Sequence, residues 1–236
     1  MRTRGDLDLN LRSAPQRREY REIYDRIIRD RPGRVLDWGC GHGHAAAAFH
    51  EAGMDVVAID HDPDAHEGEE IELPRYPGMT ALVTPQPVRL PLPDDSVDAV
   101  LSLGVLEHVP DPTGSLLEIS RVLRPGGTLY VYKLPNRFSY LERIAKAANM
   151  SYHGSRPEDT LWTTRSARAA LEEAGFAVAE LRRANMLPLT IPGRLVTIAT
   201  PLIWAVNRLL SRVPGLNALA TNVEAVAVRR LHGGRS

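Results

Sequence analysis

Short apolar runs of strand length alternate with stretches of helix length along most of this chain, and that alternation constrains the fold more than any other feature. The runs fall at 34–37, 54–60, 79–84, 97–103, 128–134, 176–181 and 222–229. Runs so short and so rich in Val, Ile, Leu and Ala are what strands covered on both faces look like. Between them lie helical patterns. From 15 to 30, Tyr20, Ile23, Tyr24, Ile27 and Ile28 recur at the i, i+3, i+4 spacing of an amphipathic helix. An alanine-rich stretch at 44–52 and two more patterns at 113–123 and 165–174 also read as helices. Pro32-Gly33, Gly53, Pro125-Gly126-Gly127 and Gly175 stand where these helices must stop. Strands separated by helices predict a doubly wound α/β sheet of seven strands with helices on both faces.

The chain has 236 residues, which suits one domain with a sizeable core. Residues 1–14 are polar and show no apolar period, so they read as a mobile arm before a single domain at 15–236. A lone cysteine, Cys40, cannot close an internal disulfide or build a Cys/His zinc site, and no metal is expected. No apolar run follows Met1, so the expected location is the cytoplasm. The net charge of zero hides opposite poles. Residues 32–127 hold five arginines against sixteen acids, whereas 128–236 hold fifteen Lys and Arg against seven acids. Two faces with different partners are expected from such poles. The acidic half offers no basic groove and the basic half no interleaved aromatics, so a nucleic-acid partner is not expected.

The richest stretch is Val35-Leu36-Asp37-Trp38-Gly39-Cys40-Gly41-His42-Gly43, a strand turning into a helix through glycines. Such a turn brings backbone N–H groups close to a ligand. Twenty-three residues after Asp37 comes Asp60, at the end of the next strand. An acid there can accept hydrogen bonds from the ribose hydroxyls of an adenosine. A phosphate-binding loop is excluded, because no Lys follows the glycines. Gly41, Gly43 and Ala46 meet a loose dinucleotide pattern, so a nicotinamide-dependent oxidoreductase and a glycine turn without ligand both stay open at this point.

The whole series of motifs resembles the class I S-adenosylmethionine (SAM)-dependent methyltransferases, above all the branch acting on small molecules and lipids. The resemblance rests on the glycine turn, Asp60, Leu90-Pro91-Leu92-Pro93-Asp94-Asp95-Ser96-Val97-Asp98-Ala99-Val100, Leu106-Glu107-His108-Val109 and Leu123-Arg124-Pro125-Gly126-Gly127, in family order over about 33–134. It implies a Rossmann-like, mostly parallel sheet with an antiparallel last strand. It implies SAM as cofactor, with Asp37, Gly39, Cys40 and Gly41 around the methionine portion and Asp60 on the ribose. His61 would lie beside the adenine and Leu103 near the sulfonium. Where the family usually has an acid for the adenine amino group this chain has Gln86, whose amide oxygen can accept the same bond.

The same resemblance places acceptor elements at about 135–170 and 186–219. An oxygen acceptor needs its proton removed, and the candidate bases are His108 and His153, with Glu142 and Tyr152 also in reach of the argument. Asn136, Tyr152 and Trp162 are candidate acceptor contacts. Thirteen uncharged residues at 195–207 lie between Arg194 and Arg208. They are too few to span a bilayer, which takes roughly 20. This insert reads as a lid packed over the acceptor pocket, a peripheral membrane or lipid contact, or a homodimer interface, in that order. A small-molecule or lipid-linked acceptor is the expected partner, and the insert favours a bulky, apolar or lipid-linked one over a small polar one. The rival from another class is a catalytically silent methyltransferase-like scaffold, motivated by Gln86 and the apolar insert.

Overall fold

The chain first commits to a helix at a serine cap. In the computed structural model, which describes residues 11, 13–62, 64, 66, 68–73, 75–86, 88–148 and 159–231, helix α1 (Ala14–Asp30) opens with the Ser13 hydroxyl accepting from Gln16 N. Most of the arm expected at 1–14 lies outside the described residues. The same hydroxyl donates to the Leu189 carbonyl, so the cap also ties the helix start to a distant loop. A cap of this kind is worth about 1 kcal/mol. Ser13→Ala is expected to lower stability by about 1 to 2 kcal/mol in urea titrations, since two bonds are lost together.

Eight strands form one sheet: β1 (Arg34–Trp38), β2 (Asp55–His61), β3 (Glu69–Glu72), β4 (Thr80–Thr84), β5 (Val97–Leu103), β6 (Leu123–Pro135), β7 (Phe176–Ala184) and β8 (Asn222–Arg229). Their order is β3-β4-β2-β1-β5-β6-β8-β7. β1 pairs in parallel with β2 on one side and β5 on the other. β8 runs antiparallel to both of its neighbours, β6 and β7. The Rossmann-like sheet with an antiparallel last strand is therefore present, and all seven expected strands are in it.

The eighth strand corrects the count of seven. β3 is Glu-Glu-Ile-Glu, fully exposed, and pairs antiparallel with β4 at the sheet edge. Nothing in its apolar pattern announces a strand, because an edge strand facing water on both sides buries nothing. β6 also begins earlier than expected. Leu123 pairs with Val97, and the ladder resumes at Thr128, so Arg124-Pro125-Gly126-Gly127 forms an irregular bulge within the strand.

Helices cover both faces. α1 and α2 (His44–Glu51) lie on one face, where Ile23, Tyr24, Ile27 and Phe49 pack on Val35, Leu101 and Tyr130. α3 (Pro112–Val122) and α5 (Thr164–Glu173) cover the other, through Leu116, Ile119 and Leu171 on Leu36, Val100 and Leu129. Helix α4 (Tyr140–Ala147), which the sequence does not announce, follows β6. The insert after β7 folds as α6 (Arg194–Ile198), α7 (Thr200–Leu210) and a 3-10 turn at Leu216–Leu219. α6 and α7 lie against α1. Among the described residues, no helix is long and apolar enough to cross a membrane.

Candidate cofactor and acceptor site

From β1 the chain steps to β2 and β4 on one side and to β5 and β6 on the other, which makes the carboxyl ends of β1 and β5 the switch point of the sheet. Ligands of open α/β sheets collect in that crevice. Asp37, Gly39, Cys40, Gly41, Asp60, His61 and Leu103 all stand at this edge. Gly39 N and Cys40 N donate to the Ile59 carbonyl at 2.8 and 3.0 Å, which locks the turn onto β2. Asp60 Oδ2 accepts from Gly41 N at 2.9 Å, and its Oδ1 from His61 N at 2.8 Å. Leu103 follows Ser102, the residue paired with Trp38, so it faces the start of the glycine turn.

Two glycines do different work in this turn. Gly39 has φ +71°, and a Cβ there would sit 2.4 Å from Val105 Cγ2, so the turn can close only around glycine. Gly41 has φ +51° with nothing within 4 Å of a Cβ, which leaves open space beside Asp60. Asp37 is buried beneath, with one oxygen accepting from Ala46 N at 3.0 Å. Burial, reinforced by the charge of Asp60, pushes its carboxyl up to about 7. A buried carboxylate beside an open turn, with a second carboxylate at Asp60, suits a cationic group and disfavours a phosphate. Cys40 is buried and its thiol pushed up, so it is held as the inert thiol. His61 donates through Nδ1 to the Thr84 carbonyl at 2.9 Å. Thr84 Oγ1 in turn accepts from Gln86 N at 3.3 Å, and Gln86 itself is exposed at the mouth of the crevice.

The acceptor-side candidates separate. His108 Nδ1 donates to Asp159 Oδ1 at 2.8 Å, which leaves Nε2 as the nitrogen able to take a proton. Asp159 is buried and His108 more than a third exposed, an arrangement in which a carboxylate orients an accessible imidazole. Glu107 lies beneath, its Oε1 3.8 Å from His108 Nε2. Burial first, and the Asp159 charge second, push Glu107 up to about 8. Burial and the same charge push Glu142 up to about 7. Nothing in the sequence placed Asp159 here, because it reaches His108 from 51 residues away. Tyr152 and His153 lie outside the described residues.

Asn136 and Trp162 are held by the fold. Asn136 is buried, its Nδ2 donating to the Ala218 and Ala220 carbonyls at 2.8 and 2.6 Å while Oδ1 accepts from Phe138 N. Trp162 packs in the core against β6 and exchanges backbone bonds with its neighbours there. Asn136→Ala is expected to cost about 2 to 3 kcal/mol in chemical denaturation, since it orphans two buried carbonyls. Among the described residues no group of His, Cys, Asp and Glu could hold a metal ion.

The raised carboxyls make stability fall as pH rises. Glu107 keeps its proton in the folded chain up to about 8, whereas the unfolded chain loses it near 4.5. Stability from this group is therefore fully present below about pH 4.5 and is lost as pH rises to about 8. Glu107→Gln should leave stability unchanged below about pH 4 and raise the melting temperature at about pH 9, as calorimetric scans at the two pH values will register.

Comparison with known proteins agrees with this geometry. Residues 36–131 match the model of a methyltransferase domain family. An uncharacterized methyltransferase from Mycobacterium bovis is 42% identical over 93 residues, which is 39% of this chain and 36% of that protein. A probable S-adenosylmethionine-dependent methyltransferase from Mycolicibacterium smegmatis is 33% identical over 124 residues, 52% of this chain and 46% of its own length. The matches thus span less than half the length of these relatives. Among solved structures, Burkholderia thailandensis 1,6-didemethyltoxoflavin-N1-methyltransferase, with bound S-adenosylhomocysteine, superposes with a TM-score of 0.55 at 19% identity, covering 93% of this chain and 80% of that one. Sheet order, glycine turn and matched segment converge: residues 36–131 match a methyltransferase domain and carry the Rossmann-like sheet on which such domains are built.

Proposed function

We propose that the chain binds SAM at the carboxyl ends of β1, β2 and β5 and transfers its methyl group to an oxygen of a small or lipid-linked apolar acceptor. The observation that carries this reading is the turn itself: buried Asp37 below, Asp60 clamped to Gly41 N beside it, and open space above Gly41. SAM supplies an activated methyl on a sulfonium, so the protein is left to bind, align and deprotonate. Asp37 receives the ammonium of the methionine portion, against the turn of Gly39, Cys40 and Gly41. Asp60 exchanges its bond to Gly41 N for the ribose hydroxyls. His61 and Gln86 flank the adenine, and Leu103 lines the sulfonium side.

On the acceptor side, His108 takes the proton at Nε2 while Asp159 holds Nδ1–H and stabilises the imidazolium that forms. Glu107, neutral at pH 7 in its buried place, leaves that charge uncontested. Tyr152 and His153 belong to the same acceptor side by position in the sequence. The apolar insert and the adjoining basic surface favour a lipid-linked acceptor over a small polar one.

Calorimetric titration with SAM tests the cofactor half. Wild type is expected to bind in the micromolar range, and Asp60→Ala to weaken binding by about 30-fold or more through loss of two charge-assisted bonds. A folded wild type with no SAM binding would overturn the enzyme reading and leave the scaffold reading in its place. With an acceptor in hand, His108→Gln should lower kcat by about 100-fold or more with little change in SAM affinity.

A further inference from the structure

The insert is built inside out. A helix at a protein surface normally buries its apolar side. α7 instead turns Thr200, Trp204 and Asn207 inward. Asn207 Oδ1 accepts from Met186 N and Leu187 N at 2.7 and 3.0 Å, and its Nδ2 donates to Asn185 Oδ1 at 3.1 Å. Four large apolar side chains are left outside: Leu195 and Ile198 on α6 are 82% and 71% exposed, and Leu202 and Leu209 on α7 are 67% and 65% exposed. From Leu181 to Val223 the chain contains no acid at all, yet it carries Arg182, Arg183, Arg194, Arg208 and Arg212.

Beside this face a cavity of about 510 Å³ opens between α1, the β6-β8-β7 edge and α7. Six arginines line it against four carboxylates. Three of those carboxylates are already engaged: Glu19 by Lys133, Glu22 by Arg18 and Glu224 by Arg182. Arg29, Arg208 and Arg212 make no ion pair among the described residues. Three further donors on the lining, the indole N–H of buried Trp204, Arg183 Nε and Ser211 Oγ, have no hydrogen-bond partner among the described residues. Free cations and unmatched donors around one cavity call for an anion rich in acceptor oxygens.

We propose that α6, α7 and this cavity dock the protein on an anionic phospholipid bilayer, one lipid phosphate seating among Arg208, Arg212 and Trp204 while Leu195, Ile198, Leu202 and Leu209 enter the interface. α7 and the turn that follows it thus present Arg208 and Arg212 to the headgroup and leucines to the acyl chains, the arrangement of an interfacial segment. Neither half of the argument uses the cofactor crevice, so the inference stands or falls apart from the SAM reading.

Co-sedimentation of the full chain with phosphatidylcholine vesicles, with and without 30% phosphatidylglycerol as a chosen ~30% anionic load, tests it. Binding is expected only to the anionic vesicles and should weaken with salt. Arg208→Gln with Arg212→Gln should reduce it by about 30-fold. Leu202→Ser with Leu209→Ser should reduce it by a similar factor, since both side chains are exposed and their loss leaves the fold intact. Asp60→Ala should bind vesicles like wild type whatever it does to SAM. Two results would overturn the proposal. One is equal binding, or none, on both vesicle types, with soluble glycerol phosphate quenching Trp204, which would make the cavity a site for a free phosphate. The other is a homodimer broken by the leucine changes, seen in sedimentation velocity, with no vesicle binding.

Discussion

Asp37→Asn should stabilise the ligand-free protein at pH 8 and at the same time weaken SAM binding by about 100-fold. Both effects have one cause. The carboxyl at the end of β1 is buried with a single backbone donor, Ala46 N, and burial pushes it from 3.8 up to about 7. Above pH 7 the folded chain carries a charge it solvates poorly, at a cost of up to about 4 kcal/mol. Asparagine keeps the acceptor for Ala46 N and removes the charge, so the melting temperature at pH 8 should rise by about 5 °C or more. Below about pH 3 both states of the wild-type group are largely protonated, and the difference should vanish. A cationic ligand reverses the account, because it needs the charge that the empty pocket disfavours. SAM affinity in wild type is accordingly expected to fall about tenfold per pH unit below pH 7, and in Asp37→Asn to lose that dependence. Thermal scans at about pH 3 and 8, with titrations between pH 5 and 8, decide the matter. A variant that loses stability at pH 8, or retains wild-type affinity, would show that Asp37 is a packing residue only.

The second large effect is expected at Gly39. Any side chain there meets Val105 and must also adopt φ +71°, a region costly for residues with a Cβ. Val105 is β-branched and short, so it cannot swing aside as a long flexible chain would. Gly39→Ala is expected to cost about 2 to 4 kcal/mol of stability and to abolish SAM binding, because overpacking pushes the turn off the Ile59 carbonyl that holds it. Val105→Ala combined with Gly39→Ala separates the two causes. It should recover the part due to the clash and leave about 1 kcal/mol of backbone strain. Urea titrations of the two single variants and the double one measure the coupling. Additive losses would mean that the glycine is needed for its conformation alone.

These two positions show how unevenly the site can be read from the chain. Asp37, Gly39, Gly41 and Asp60 sit at fixed steps from strand ends, and strand ends follow from apolar runs. Once β1 and β2 pair in parallel, with Asp37 opposite Ala58, their meeting at one edge follows. His108 is equally visible as part of a local motif, but its partner Asp159 is not. Asp159 lies beyond α4 in the connection from β6 to β7, 51 residues along the chain from His108. Asn136, a reasonable acceptor contact by its place after a strand, proves to be tied to the carbonyls of Ala218 and Ala220, more than 80 residues further on.

The amino-acid sequence by itself determined the doubly wound sheet, the methyltransferase-type turn and the acid on the second strand. Periodicity and glycine placement are local properties, and the burial that rewards them is the same in any chain of this pattern. Tertiary structure alone decided the eighth strand, the His108–Asp159 pair and the inverted insert. β3 buries nothing and so leaves no apolar signature. The insert's thirteen uncharged residues are compatible with a lid, a membrane contact or an interface until packing selects a face. That selection is made by Asn207, whose bonds to Asn185, Met186 and Leu187 hold the inward side of α7 against the domain and leave its leucines to the solvent.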